Sequence, residues 1–398
     1  MEKKKINTAT LIMLILCGCM LNAMSAAVRS NYGLLLTEVS ALSGVGYASV
    51  SFVIAVSQFF YGFTQPLFGM LALKRGNRSA LLLGVCMITA GLAFLPFCRS
   101  RLPLLISFLL IGAGFGALAF GIIMSVLSPV LKPSVAATVS GIITASSGLG
   151  SIVFAPLWQK IIAGSGITVC LRVMAVAMAV MIPVSLYFTR YESKSVSAGS
   201  APAIIPMFRK AFADPSYRLL MGAFFTCGFH MAIIETHLFN NMTAAGLSRE
   251  SAAYLMSVYG ISTMLGSVFS GAMTGRFRPK IVAGLEFGSR TVWIILFFVL
   301  PKTVVTFGLF AILLGFTGAA TVPPVSAMVK QRFGAVKMAT LFGLLFVFHQ
   351  LGSFFSSWLG GVSIEHTGSY TVIWSASALL AAFAAACCFL VKEPEKQI

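Results

Sequence analysis

The stretch CGFHMAIIETHLF, residues 227–239, sets His230, Glu235 and His237 inside a long apolar run. On a helix His230 and His237, seven apart, share a face, whereas Glu235, five after His230, lies about 140° around. Seven residues span about 10 Å, too far for both imidazoles to hold one metal ion, and the HExxH form is absent. Proton handling or anion binding fits better, because an imidazole with an ordinary pKa of about 6.5 changes charge near physiological pH. His230 is the central proton-coupling candidate, with Glu235 and His237 behind it. The competing reading is a histidine hydrogen-bonded across a helix bundle.

Other polar groups recur at helical spacing. Asn22, Ser25, Arg29 and Tyr32 are spaced 3, 4 and 3 and read as one stripe. The guanidinium fork of Arg29 suits a carboxylate; snorkelling to the headgroups is its alternative role. Gln58 and Tyr61, with Ser51 and Gln65, make a second face, and His349 with Ser353 and Ser356 a third, Gln350 lying on an adjacent face. Asn22, Arg29, Tyr32, Gln58, Tyr61, His349 and Gln350 are therefore the candidate substrate-binding set. Interhelical hydrogen bonding is the competing role for each. Glu286 and Arg290, at i and i+4, read as an internal structural ion pair. No metal site, cofactor motif or catalytic constellation is visible, so an enzyme is not expected.

The elements that hold these groups follow from composition. The chain has 398 residues, 58% hydrophobic and 10% charged; soluble domains are typically about a quarter charged. The net charge of +18 is not a nucleic-acid footprint, because the basic residues cluster in short breaks between apolar runs. The eight cysteines form no CxxC pair and read as small buried hydrophobes. MEKKK and the apolar run behind it imitate a signal peptide, but the run continues past NAMSA to Leu36, so it reads as a first membrane span.

Apolar stretches of about 20 residues read as membrane helices. Twelve are expected, from 9–33 to 369–391, the fifth and sixth at 135–163 and 168–189. The fold class is an all-α membrane protein with two six-helix bundles: 1–190, a cytoplasmic linker at 191–217, and 218–398. With the N-terminus inside, only eight of the 28 Lys/Arg fall outside the cytoplasmic segments: Arg29, Arg99, Arg101, Lys160, Arg172, Arg249, Arg290 and Lys302. Both termini are then expected in the cytoplasm. An internal repeat supports two halves: ATVSG at 137–141 matches ATLFG at 339–343, LGS at 149–151 matches LGS at 351–353, and Gly69 and Gly166 fall on Gly271 and Gly368. Parallel repeats of this kind build transporters with a midplane site between the halves.

The loop GMLALKRGNR, residues 69–78, resembles the GxLaDrxGrr motif of the major facilitator superfamily. Gly69, Leu71, Gly76 and Arg78 fit; the family's Asp is Leu73 here and Gly275 in the second half. ATVSGIITASSGLGSIVFAPL is similar to the fifth helix of the monocarboxylate porter and oxalate/formate antiporter branch, and FFTCGFHMAIIETHL and FHQLGSFFSSWLGG resemble second-half segments of bacterial members. The fourth span lacks the Arg of drug/proton antiporters, and the eighth lacks the Asp/Arg pair of animal monocarboxylate transporters. The resemblance, with the polar faces, implies a monomeric inner-membrane carrier of a small organic anion, a monocarboxylate moving with a proton by alternating access. Arg29 would hold the carboxylate and a group of the seventh span the proton. The rival expectations are an anion exchanger, an exporter of drugs or neutral solutes, and a membrane sensor.

Overall fold

The computed structural model describes residues 7–131, 133–191 and 204–392. In a bilayer a backbone must satisfy its own hydrogen bonds, so apolar runs of this length become helices. Among the described residues, eleven helical segments are long and apolar enough to span. One of them, Gly141–Phe188, has 48 residues and covers both the fifth and sixth expected spans. It breaks at Gly166, whose φ of 81° lies in the left-handed region, so the chain makes twelve passes.

The passes are α1 (Thr8–Arg29, extended by Tyr32–Ser43), α2 (Tyr47–Arg75), α3 (Asn77–Phe94) and α4 (Arg101–Ala117, then Phe120–Leu127). α5 runs from Pro133–Ser146 through Leu149–Ile152 to the break at Gly166, and α6 from there to Phe188. In the second half come α7 (Pro215–Ala244), α8 (Arg249–Arg276), α9 (Pro279–Val299), α10 (Val304–Gly318, then Val322–Phe333), α11 (Ala335–Thr367) and α12 (Thr371–Leu390). Side-chain caps fix several starts: Asn7 accepts from the Thr10 amide, Asp214 from Tyr217, Ser248 from Ser251 and Thr303 from Thr306.

Of the segment expected as linker, residues 192–203 lie outside the described residues, and Ile204–Ala213 is a helix. It is amphipathic, with Met207 and Ala211 buried in the apolar cluster that holds Tyr217 and Leu220. Its apolar face gives it a reason to fold.

The repeat has a structural meaning. Gly166 and Gly368 both adopt positive φ, 81° and 64°, at the α5–α6 and α11–α12 corners. Gly150 and Gly352 both sit at helix crossings. A Cβ on Gly150 would lie 2.6 Å from the Ala26 carbonyl carbon of α1, and one on Gly352 would run into the Phe225 carbonyl oxygen of α7. Outward-facing Val268, Val305 and Leu379 are more than two-thirds exposed, as a lipid-facing surface requires.

The halves meet along three seams: α2 on α11, α5 on α8, and the α1 extension on α7. Bonds across them lie in the half of the molecule away from the termini. Thr37 bonds Asn240 at 2.7 Å, Asn240 donates to the Gly33 carbonyl at 2.7 Å, and Glu365 accepts from the Ala48 amide at 3.2 Å.

Gly352→Leu should force α7 and α11 apart, costing about 1–3 kcal/mol or more through overpacking. Gly343→Ala, on the same helix with nothing within 4 Å of its Cβ position, should be neutral. Thermal melting in detergent, followed by size-exclusion fluorescence, checks the contrast.

Candidate functional site

Arg29 ends the straight part of α1. The chain breaks at Ser30–Asn31, and Asn31 fastens the break by donating to the carbonyls of Ala27 at 2.8 Å and Gly150 at 2.9 Å. Across the interface α7 contains one π turn, Ile234–Leu238, which widens the helix and shifts the helical phase of the residues after it. Glu235 sits in that turn. Its two oxygens accept from Arg29 Nη1 at 2.9 and 3.0 Å, and its Oε2 also accepts from Gln58 Nε2 at 3.1 Å. The side chains are 21% and 7% exposed, so this is an ion pair close to full burial, made between the halves. The Arg29 guanidinium also lies 5.2 Å from the Tyr61 ring centroid.

The polar chain continues. Gln350 Nε2 donates to the Gln58 carbonyl, which turns Gln350 Oε1 toward His349 Nδ1 at 2.8 Å. An amide oxygen only accepts, so Nδ1 carries the proton. The His349 ring stacks on Phe346 at 4.9 Å, and Phe346 stands edge-on to Tyr61 at 6.0 Å. Arg29 and His349 thus flank one aromatic pair, each from its own half. Of the candidate binding residues, Arg29, Gln58, Tyr61, His349 and Gln350 come together here.

Asn22 and Tyr32 take no hydrogen bond from this polar chain. Asn22 Nδ2 donates to the Ile143 carbonyl at 2.7 Å and to Ser146 Oγ at 3.1 Å, tying α1 to α5. Tyr32 is fully buried against Ser57 of α2, O to O 2.8 Å. The expected stripe from Asn22 to Tyr32 is corrected: the break at Ser30–Asn31 takes Tyr32 out of phase with Arg29, so its hydroxyl bonds Ser57 although it stays near Glu235, while Asn22, two turns before Arg29 on the same unbroken helix, is taken by α5.

The two histidines of α7 also part company. His230 is fully buried and bonds Ser377 of α12 at 3.0 Å, inside the second half. It lies off the interface, which Glu235 faces instead. His237 Nε2 donates to the Ser357 carbonyl at 2.8 Å, leaving Nδ1 to accept from Tyr47 at 3.3 Å; Tyr47 in turn meets Tyr370 at 3.0 Å. His237 is therefore part of a latch between the halves. Tyr47, Tyr370 and Asn240 escaped the sequence reading because they stand near helix ends, where a polar residue carries no periodic signal.

The expected Glu286–Arg290 ion pair is not made. Arg290 is fully buried and donates through Nη2 to the carbonyls of Thr317 and Gly318, which the break in α10 leaves unpaired. Glu286 Oε2 has no hydrogen-bond partner among the described residues. Helix ends expose acceptor carbonyls, and the Arg290 guanidinium turns one nitrogen to two of them, while its Nε and Nη1 find no hydrogen-bond partner among the described residues.

Arg29→Gln should strand the Glu235 carboxylate and cost about 3–5 kcal/mol of stability. Adding Glu235→Gln should recover most of it, which paired thermal melts of the single and double variants read directly. Glu286→Gln should be nearly silent in the same assay, while Arg290→Gln lowers folded yield.

The model of the Major Facilitator Superfamily matches residues 15–244 and 238–398, one stretch for each half. Monocarboxylate transporter 13 of Bos taurus is 25% identical over 369 residues, covering 90% of this chain and 84% of that protein. An oxalate:formate antiporter of Oxalobacter formigenes is 25% identical over 221 residues, 55% of this chain and 51% of that protein. In fold, the chain superimposes on the crystal structure of a D-xylose-proton symporter with a TM-score of 0.72, at 12% identity, covering 97% of this chain and 98% of that one. Two matched halves, twelve passes and a shared three-dimensional arrangement lead to one conclusion: the chain is a multi-pass membrane protein belonging to the major facilitator superfamily.

Proposed function

We propose that this protein carries a small organic monocarboxylate together with a proton across the cytoplasmic membrane, acting as a monomer by alternating access. Its bundles are residues 1–190 and 218–398, joined by the 191–217 segment, and both termini face the cytoplasm. The observation that carries the proposal is the Arg29–Glu235 pair between the halves. The likeness to a monocarboxylate transporter and an oxalate:formate antiporter supports the substrate class.

A charge count gives the coupling. An ionised group in a membrane interior must be paired or hydrated. The empty site holds one guanidinium and one carboxylate and is neutral. A substrate carboxylate that takes Arg29 would leave the site with an excess negative charge unless Glu235 accepts a proton. Proton alone leaves an excess positive charge. Only the empty and the doubly loaded forms are neutral, so only these reorient readily, and one proton moves with one monocarboxylate. Gln58 then holds the neutral carboxyl, Arg29 offers its fork to the substrate, and the Tyr61–Phe346 pair faces the substrate's carbon end. His230 has no part in this scheme.

The test is uptake of labelled formate, lactate, pyruvate and oxalate into proteoliposomes. A monocarboxylate should accumulate when the outside is acid, without response to a membrane potential. Glu235→Gln should abolish that accumulation yet keep counterflow, because exchange of loaded carriers needs no proton release. Arg29→Lys should raise the apparent KM about tenfold by losing the fork. Uptake indifferent to the pH gradient but accelerated by internal anion would replace symport with anion exchange.

A further inference from the structure

α5 and α8 face each other across the interface, and a cavity of about 380 Å3 lies between them near the end away from the termini. Pro156, Gln159 and Lys160 of α5 and Glu250 and Ala253 of α8 line it. Lys160 and Glu250 are exposed at its mouth, whereas Gln159 is 7% exposed and its Oε1 has no hydrogen-bond partner among the described residues. Deeper in, a crevice too tight for a water molecule is bounded by Ser30, Asn31, Ala155, Met256 and Glu235. Ala155 and Gln159 stand one turn apart on α5, and Ala253 and Met256 one turn apart on α8. The cavity and the crevice therefore share the same two helix faces, and one seam leads from the surface toward the Glu235 carboxylate.

We propose that this seam is the route by which protons reach Glu235 from the side away from the termini, separate from the path of the solute. The proposal rests on the reading of Glu235 as the proton carrier. The two other seams are latched: Thr37–Asn240 and Asn240–Gly33 close α1 on α7, and Tyr47 joins His237 and Tyr370 across the α2 side. The α5–α8 seam is bonded as well, by Ser257 to the Ser151 and Ile152 carbonyls, but on the side of Ala155 and Ala253 away from the cavity; between cavity and crevice its walls are only Ala155, Pro156 and Ala253. A solute must undo the latches. A proton needs a file of water, and a water takes about 30 Å3, which small side chains can yield by a slight parting of two helices.

The electrostatics agree with that use. Glu250 draws protonated carriers to the mouth, Lys160 keeps the mouth from holding them, and Gln159 Oε1 is a ready acceptor for a water inside. Around Glu235 stand Arg29 and Tyr32 of α1, Gln58 and Tyr61 of α2, and Tyr259 of α8. The step balances: a hydronium or protonated buffer at the mouth gives up its proton, Glu235 gains an O–H, and the Arg29 guanidinium is released to the substrate with its charge unchanged.

The test compares two rates in the same oriented proteoliposomes, uptake driven by an acid exterior and counterflow at equal pH. Gln159→Leu removes the acceptor, and Ala253→Leu fills the seam. Each should slow driven uptake about tenfold and leave counterflow at the wild-type rate, and Gln159→Asn should restore the driven rate. Driven uptake at the wild-type rate in both Leu variants overturns the proposal. So does an equal fall of both rates, which marks the seam as packing alone. Glu235→Gln in parallel separates the two readings. If it loses accumulation while the Leu variants keep theirs, only the route fails; if it keeps accumulation, the carrier itself is wrong.

Discussion

An ion pair held almost out of water, between the two halves of the fold, is the constraint on which this molecule turns. Separating Arg29 from Glu235 without compensation exposes two charges to a medium that solvates them poorly, a cost of several kcal/mol per ion. The halves are therefore not free to rock in any state of occupancy. Whatever replaces one partner must restore neutrality, and a proton on Glu235 with an anion on Arg29 does so. Coupling on this view is a property of charge balance in a low dielectric, and needs no mechanical linkage between distant sites.

The rest of the interface serves that pair. Asn31 fixes the break that ends α1 at Arg29, and the π turn of α7 aims Glu235 across the gap. Gln58 adds a further bond to Oε2 of the carboxylate, and Gln350 bonds the backbone of Gln58 from the other half, so four passes converge on one charge. The Tyr47–His237–Tyr370 group closes the same interface nearer the surface with weaker, neutral bonds. In the proposed cycle the neutral bonds would be made and broken, and the charged one exchanged rather than broken.

The two halves share a scaffold but not a chemistry. Gly150 and Gly352 permit the same helix crossing in each half, and Gly166 and Gly368 turn the same corner. At the same offset Glu235 corresponds to Gly33 and Arg29 to Met231. A Cβ on Gly33 would come within 3.0 Å of the Glu235 backbone carbonyl, so the residue that lacks a side chain lets α1 approach the turn that carries the carboxylate. The repeat supplies symmetry in the backbone, and the functional groups break it.

Composition, twelve spans and the repeat were legible in the sequence because each rests on a local or periodic property: apolar length, glycine at a corner, small residues at a crossing. The intramembrane polar groups were legible too, since charge inside an apolar run is costly wherever the chain folds. The partner of each group was not. Helical phase placed Tyr32 with Arg29 and Glu286 with Arg290, but a break after Arg29 and an opened carbonyl pair in α10 redirected them. His230 stood out by residue type, yet α12 supplied a serine for it, while Glu235 found its partner 206 residues away on the other half. Spacing along one helix fixes which face a side chain occupies; only the packing of the twelve decides what that face meets.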